Sequence, residues 1–126
     1  MKSDLVNAVL NSSTELAIVA TSPEGVIQVF NRGAELMLGY RAEEMLGKHT
    51  PAIFHDDSEV KAYGSVLTAN YGKDISGFRV FVHEPEVKGH ECRMWTYIRK
   101  NKTRLTVNLT ITPMRDEKIT SLVIWG

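Results

Sequence analysis

The sequence predicts an α+β domain in which an antiparallel sheet carries its helices on one face. Two short β-branched segments near the start are joined by a Pro–Gly turn. Apolar residues at helical spacing fill the middle, and three strand-like segments in succession close the chain, which makes a hairpin, a helical layer and a meander. With 126 residues, 43% of them hydrophobic and 24% charged, the chain reads as one globular domain, divided into a lead-in (1–14) and a core (15–126).

The lead-in is expected to be a short helix from about Leu5, capped by Ser3 or Asp4, with Leu5, Val6, Val9 and Leu10 as an apolar stripe. Residues 16–21 and 26–30 form the hairpin, and Ser22-Pro23-Glu24-Gly25 between them has its Pro and Gly where a type I turn prefers them. Asn31 caps a helical turn over 32–38 that Gly39 stops, and 41–46 closed by Gly47 repeats the device. Helices this short do not persist alone, so Leu36, Met37, Met45 and Leu46 are expected to pack against the sheet. Beyond Pro51, one of Asp56, Asp57 and Ser58 caps a longer helix in which Val60, Tyr63, Leu67 and Tyr71 recur at helical spacing up to Gly72. Residues 75–87 fit either a helix using Ile75, Phe78, Phe81 and Val82 or an irregular connection. Strands follow at 92–100, 104–114 and 119–125; in the second, Leu105, Val107, Leu109 and Ile111 alternate with threonines and Asn108.

Fifteen basic and fifteen acidic side chains balance, and no basic block exists, which argues against a nucleic-acid partner. The lone Cys92 forms no internal disulfide and no CxxC knuckle, so a reducing, cytoplasmic setting is expected. No apolar run approaches the ~20 residues that span a bilayer, and no membrane contact is expected of this segment. His49, His55, His83 and His90 show no metal-ligand spacing, no GxSxG elbow is present, and Gly33, Gly39 and Gly47 are too far apart for a phosphate cradle. Glu43-Glu44 and Asp56-Asp57 sit where helix N-termini favour negative charge and read as caps. The expectation is a protein without catalytic activity and without a metal site.

Several linked stretches resemble the PAS domain family of sensory modules over nearly the whole chain. Residues 17–27 resemble its first hairpin, Phe30-Asn31-Arg32-Gly33-Ala34-Glu35 its strand-to-helix Asn, and Leu38-Gly39-Tyr40-Arg41-Ala42-Glu43-Glu44-Met45-Leu46-Gly47 its G-Y-x-x-E-E-x-x-G run. Residues 54–60 and 94–100 are similar, more narrowly, to PAS modules of bacterial diguanylate cyclases, phosphodiesterases and sensor histidine kinases. The resemblance implies a five-stranded antiparallel sheet in the order 2-1-5-4-3, whose helices enclose a small-molecule pocket. It also implies a homodimer, for which Leu5, Val6, Val9 and Leu10 are the expected interface. The implied output is a linked effector domain beyond Gly126, a kinase of a two-component system or a cyclase or phosphodiesterase of cyclic di-GMP signalling. Where the family usually has K-D-G-[ST], this chain has Lys100-Asn101-Lys102-Thr103, with Asn101 expected to stand in for the glycine, and the 116–119 turn also lacks one.

For the pocket, the candidates are Asn31, Phe54, His55, Tyr63, Leu67, Trp95, Tyr97, Asn108 and Trp125, since a ligand site needs a few polar groups on an apolar wall. Alternation puts Trp95 and Tyr97 on one face of their strand and leaves open which face is inside. No cofactor is the first expectation. The two alternatives are haem held by His55, with the Trp125 indole facing a gas ligand, and non-covalent flavin held by Asn31, Trp95 and Trp125. A flavin–cysteine photoadduct is not expected, because Thr50-Pro51-Ala52-Ile53-Phe54 lacks the cysteine that the resemblance would require. The competing reading is a ligand-free interaction module.

Overall fold

A computed structural model describes residues 16–125; the predicted lead-in helix with Leu5, Val6, Val9 and Leu10 lies outside them. Ala17–Thr21 (β1) and Ile27–Phe30 (β2) pair antiparallel, and the Gly25 N–H donates to the Ser22 carbonyl at 2.9 Å to close the turn between them. Asn31 follows. Its Oδ1 accepts from the N–H groups of Ala34 at 2.9 Å and Ile18 at 2.8 Å, and its Nδ2 donates to the Leu16 carbonyl at 3.1 Å. A single buried side chain thus caps the helix Arg32–Leu38 (α1) and fastens it to β1. Gly33 permits the close approach, because a Cβ there would stand 2.0 Å from the Leu16 carbonyl oxygen.

Glu35 reaches out of α1 to accept from the Ala42 N–H at 2.7 Å at the start of the helix Ala42–Met45 (α2). That bond is the main reason its carboxyl is held below the usual range. Ala34, Leu38 and Met45 supply the buried face of this pair, with Met37 packed partly against it. Leu36 and Leu46 do not, being 57% and 40% exposed, which corrects the expectation for both. In α1 the i, i+4 row through Ala34 and Leu38 meets the sheet, and Leu36, two residues from each, points the other way.

A 3-10 turn, Pro51–Phe54, leads into the long helix Asp57–Tyr71 (α3). Asp56 caps it, accepting from the Ser58 N–H at 2.9 Å, and Gly72 ends it in the left-handed conformation. Of the two readings of 75–87, the helical one is realised, as Arg79–Lys88 (α4), although Pro85 lies inside it. Val80, Phe81 and Val82 are buried, and Ile75 is buried from the preceding loop.

Glu91–Ile98 (β3), Arg104–Met114 (β4) and Ile119–Trp125 (β5) form the meander, and β1 joins β5, so the sheet runs β2-β1-β5-β4-β3 with every pair antiparallel. The register sorts the side chains onto two faces. Val19 opposes Leu122, Leu109 opposes Ile124 and Trp95 opposes Val107 on the buried face. Asn108 opposes Trp125 and Thr110 opposes Val123 on the other, where all four are half-buried. Both sheet edges are covered. The β2 edge is met by Ile27 N–H donating to the His49 carbonyl at 2.9 Å, and the β3 edge by an antiparallel bridge between His55 and Tyr97.

The β3–β4 turn departs from its expected form. Lys102, not Asn101, takes the left-handed conformation (φ 73°), while Asn101 Oδ1 accepts from the Thr103 N–H at 3.0 Å. Lys118 does the same in the next turn (φ 54°). A β-carbon in this region is unfavourable by roughly 1–2 kcal/mol, partly offset in a glycine variant by its freer unfolded chain. Lys102→Gly should therefore raise the melting temperature by a few degrees; an unchanged or lower value would show that the lysine conformation is unstrained.

Candidate functional site

Phe54 and His55 end the turn that Pro51 starts, where the His55 N–H donates to the Ala52 carbonyl at 3.3 Å. The backbone bridge to Tyr97 then points the His55 ring into the space between sheet and helices, the side to which β3 turns Trp95 and Tyr97. Phe81 approaches from α4. The ring centroid of His55 lies 4.2 Å from that of Phe81, 4.6 Å from Tyr97, 5.1 Å from Trp95 and 5.9 Å from Phe54. All five residues are buried, Tyr97 and Phe54 completely.

Four polar atoms in this nest have no hydrogen-bond partner: both ring nitrogens of His55, Trp95 Nε1 and Tyr97 Oη. Buried polar atoms are nearly always paired, so this grouping is unusual for a plain core. Desolvation alone lowers the His55 pKa from 6.5 to about 3, leaving a neutral imidazole, and burial pushes the Tyr97 phenol above its ordinary value.

Beside the nest, α3, α4 and the segment between them line a cavity of about 660 Å³. His55 and Phe81 lie on its inner wall, with Ala52, Gly64, Thr68 and Val80 around it. Gly64 sets the spacing of the helices: a Cβ there would come within 3.0 Å of the Ile75 carbonyl oxygen and 3.1 Å of Val80 Cγ2. The exposed residues Asp57, Lys61 and Asp74 line its rim, and the first two form an ion pair at 2.9 Å.

The predicted pocket residues therefore divide. Phe54, His55, Trp95 and Tyr97 come together, and Trp95 and Tyr97 face inward. Leu67 is buried core on α3, and Tyr63 lies on the β3 side of that helix, its hydroxyl donating to Glu91 at 2.9 Å with the Arg93 guanidinium 3.8 Å over its ring. Burial, followed by the Glu91 bond, takes the Tyr63 phenol up to about 12. Asn31, Asn108 and Trp125 are corrections to the expected set. Asn31 is committed to the α1 cap, and the pleat that buries Leu109 and Ile124 turns Asn108 and Trp125 to the opposite face of the sheet. Phe81 and Gly64 are cavity residues that no motif marked, although a glycine inside a helical pattern was a signal of close packing at that point.

The cofactor alternatives can be tested on this geometry. Haem on His55 would have to lay its macrocycle against an imidazole whose neighbours at 4.2 to 5.1 Å are the rings of Phe81, Tyr97 and Trp95; the nest as arranged has no room for a group of that size and does not fit haem. The flavin set fails differently, since Asn31 is a cap and Trp125 is across the sheet from Trp95. Among the described residues no group of three His, Cys, Asp or Glu side chains gathers to hold a metal ion, and no helix is long and apolar enough to cross a membrane.

Sheet order and the one-sided helical layer are those that the family resemblance implied. A profile of the PAS domain matches residues 15–125, and the chain belongs to this family. It is 30% identical over 100 residues to "Two-component system protein A" of Emericella nidulans, an alignment covering 79% of this chain and 13% of that much longer protein. Among solved structures, the PAS domain of a protein from Colwellia psychrerythraea is similar at a TM-score of 0.69 with 17% identity, covering 98% of this chain and 94% of that one. A domain of a sensory box sensor histidine kinase/response regulator from Geobacter sulfurreducens gives 0.68 with 16% identity over 99% and 94%. At these identities the likeness to the solved structures is one of fold.

The buried imidazole gives stability a pH dependence with a definite sign. Between pH 6.5 and about 3 the unfolded chain binds a proton at His55 that the folded protein does not, so its contribution is intact above pH 6.5 and declines on acidification. Denaturant unfolding at pH 7, 6, 5 and 4.5 should show wild type losing about 1.4 kcal/mol per pH unit relative to His55→Phe once below the histidine range. Parallel stability curves would mean that His55 titrates normally.

Proposed function

We propose that this PAS domain is the sensory module of a larger signalling protein of the two-component or cyclic di-GMP type. A small molecule in the α3–α4 cavity biases how the helices pack on β3, and a covalently linked effector domain reads the change. The observation carrying this reading is the cavity of about 660 Å³ that ends on a buried aromatic nest with unpartnered polar atoms. A ligand shifts such a module only by binding two packings unequally.

The start of α3 has the connections to pass that difference on. The Asp56 N–H donates to the Thr96 carbonyl at 3.2 Å, Glu59 accepts from both the N–H and the hydroxyl of Thr96 at 2.7 Å, and Asp56 pairs with Arg104 on β4. A shift of α3 at the cavity is thereby felt in both strands of the outer hairpin. The outer face of the sheet, with half-buried Ile18, Val123 and Trp125 and the 65%-exposed Met94, supports dimerisation as part of the relay. It also supports the second reading, a module that only pairs proteins. The free thiol of exposed Cys92 accords with a reducing, cytoplasmic location.

Native mass spectrometry of freshly purified protein separates the two readings. Ser65 lies exposed on the cavity side of α3, and Ser65→Phe puts a ring into the space a ligand would use. The sensory reading predicts a bound small molecule on wild type that is absent from Ser65→Phe. The same dimer from both proteins, with neither carrying a small molecule, would overturn it in favour of the interaction module.

A further inference from the structure

The inner end of the cavity has a hydrogen-bonding capacity that the fold leaves unused. An indole N–H only donates, a phenol donates and accepts, and a neutral imidazole does one of each. At Trp95, Tyr97 and His55 none of these capacities is taken up, and the three rings lie in one cluster, with His55 at 4.6 Å from Tyr97 and 5.1 Å from Trp95. Of these three, His55 is the residue on the cavity wall, next to Phe81. The cluster's other ring neighbours are Phe54, Phe81 and, 5.8 Å from Trp95, Tyr63, whose hydroxyl is already bonded to Glu91. Charged groups line only the rim, where Asp57 and Lys61 neutralise one another and Asp74 adds a negative charge.

Resting on the reading of the cavity as a ligand site, we infer that its ligand is a small uncharged molecule whose hydroxyl or carboxamide end lodges among His55, Tyr97 and Trp95, with its apolar body along Phe81, Val80 and Ile75. The oxygen accepts from the indole N–H and the phenol, and the ligand's own O–H or N–H donates to the unprotonated imidazole nitrogen. The His55 ring, which stands between the cavity and the two deeper groups, turns to admit it. An anion is disfavoured because no cation reaches the inner end to replace its hydration. A hydrocarbon is disfavoured because it leaves the buried polar atoms as they are.

The test uses three probes of one shape, toluene, benzyl alcohol and benzoate, titrated into the whole chain and into Tyr97→Phe. The readout is the Trp95 indole N–H resonance, assigned with Trp125→Phe. The expected result is that benzyl alcohol binds about tenfold more tightly than toluene, moves the indole resonance downfield, and loses that advantage in Tyr97→Phe, while benzoate does not bind. Without probe, Tyr97→Phe should melt a few degrees higher than wild type, since it removes a buried hydroxyl that has no partner. Toluene binding as tightly as benzyl alcohol, or a Tyr97→Phe protein that melts lower, would overturn the assignment and leave the cavity as a ligand site. Failure of all three probes to bind wild type would overturn the cavity reading itself.

Discussion

The alternation of side chains along a strand decides what the helical layer can cover. With five antiparallel strands in one sheet, a single choice of face is propagated through every cross-strand pair: once Leu109 and Ile124 are buried, so are Val107, Leu122 and Val19, and so too are Trp95 and Tyr97. The helices must then close over two large rings that carry polar atoms at one end of the sheet. At the other end, where Phe30 of β2 is buried beside the small and aliphatic side chains of β1, α1 lies so close that position 33 has room for no β-carbon. The sheet therefore has a tightly covered end and a loosely covered one, and the cavity lies at the loose end.

The loose end has a cost of its own. Burying a large side chain contributes roughly 1.5–3 kcal/mol, whereas each unpaired buried polar group costs roughly 1–3 kcal/mol. Phe54 and Phe81 gain from enclosure without penalty, but Tyr97, Trp95 and His55 give back much of what their rings contribute. A residue set chosen for stability alone would place phenylalanine and leucine here. Retaining a phenol, an indole and an imidazole at the end of a cavity accords with a receptor, in which the missing partners arrive with the ligand.

Much of the fold was legible in the sequence. Capping and turn residues carry their own conformational rules, so Asn31, Gly39 and Gly72 marked helix ends that the structure has where expected, and of the three candidate caps at 56–58 the structure uses Asp56. Long alternating strands were also clear. The helix Arg79–Lys88 was ambiguous because its β-branched residues and Pro85 weaken the local helical signal, and tertiary burial of Val80, Phe81 and Val82 decides the matter. The site was only half legible. His55 and the Trp95/Tyr97 pair could be named as candidates, but their convergence depends on a single bridge between residues 42 positions apart in the chain. Asn108 and Trp125 illustrate the opposite case: their chemistry suits a pocket, yet one step along the pleat puts them on the far face. In the β3–β4 turn the family pattern located the missing glycine, and the structure assigns its backbone conformation to Lys102.

A crystal structure of the freshly purified protein at a resolution that reveals ordered solvent would bear most directly on the central claim, that the nest around His55 is the closed end of a receptor. The account predicts density for a non-protein molecule in the space between α3 and α4, with an oxygen within hydrogen-bond distance of Tyr97 Oη or Trp95 Nε1. A dry, fully packed interior in which His55, Trp95 and Tyr97 satisfy one another would contradict it.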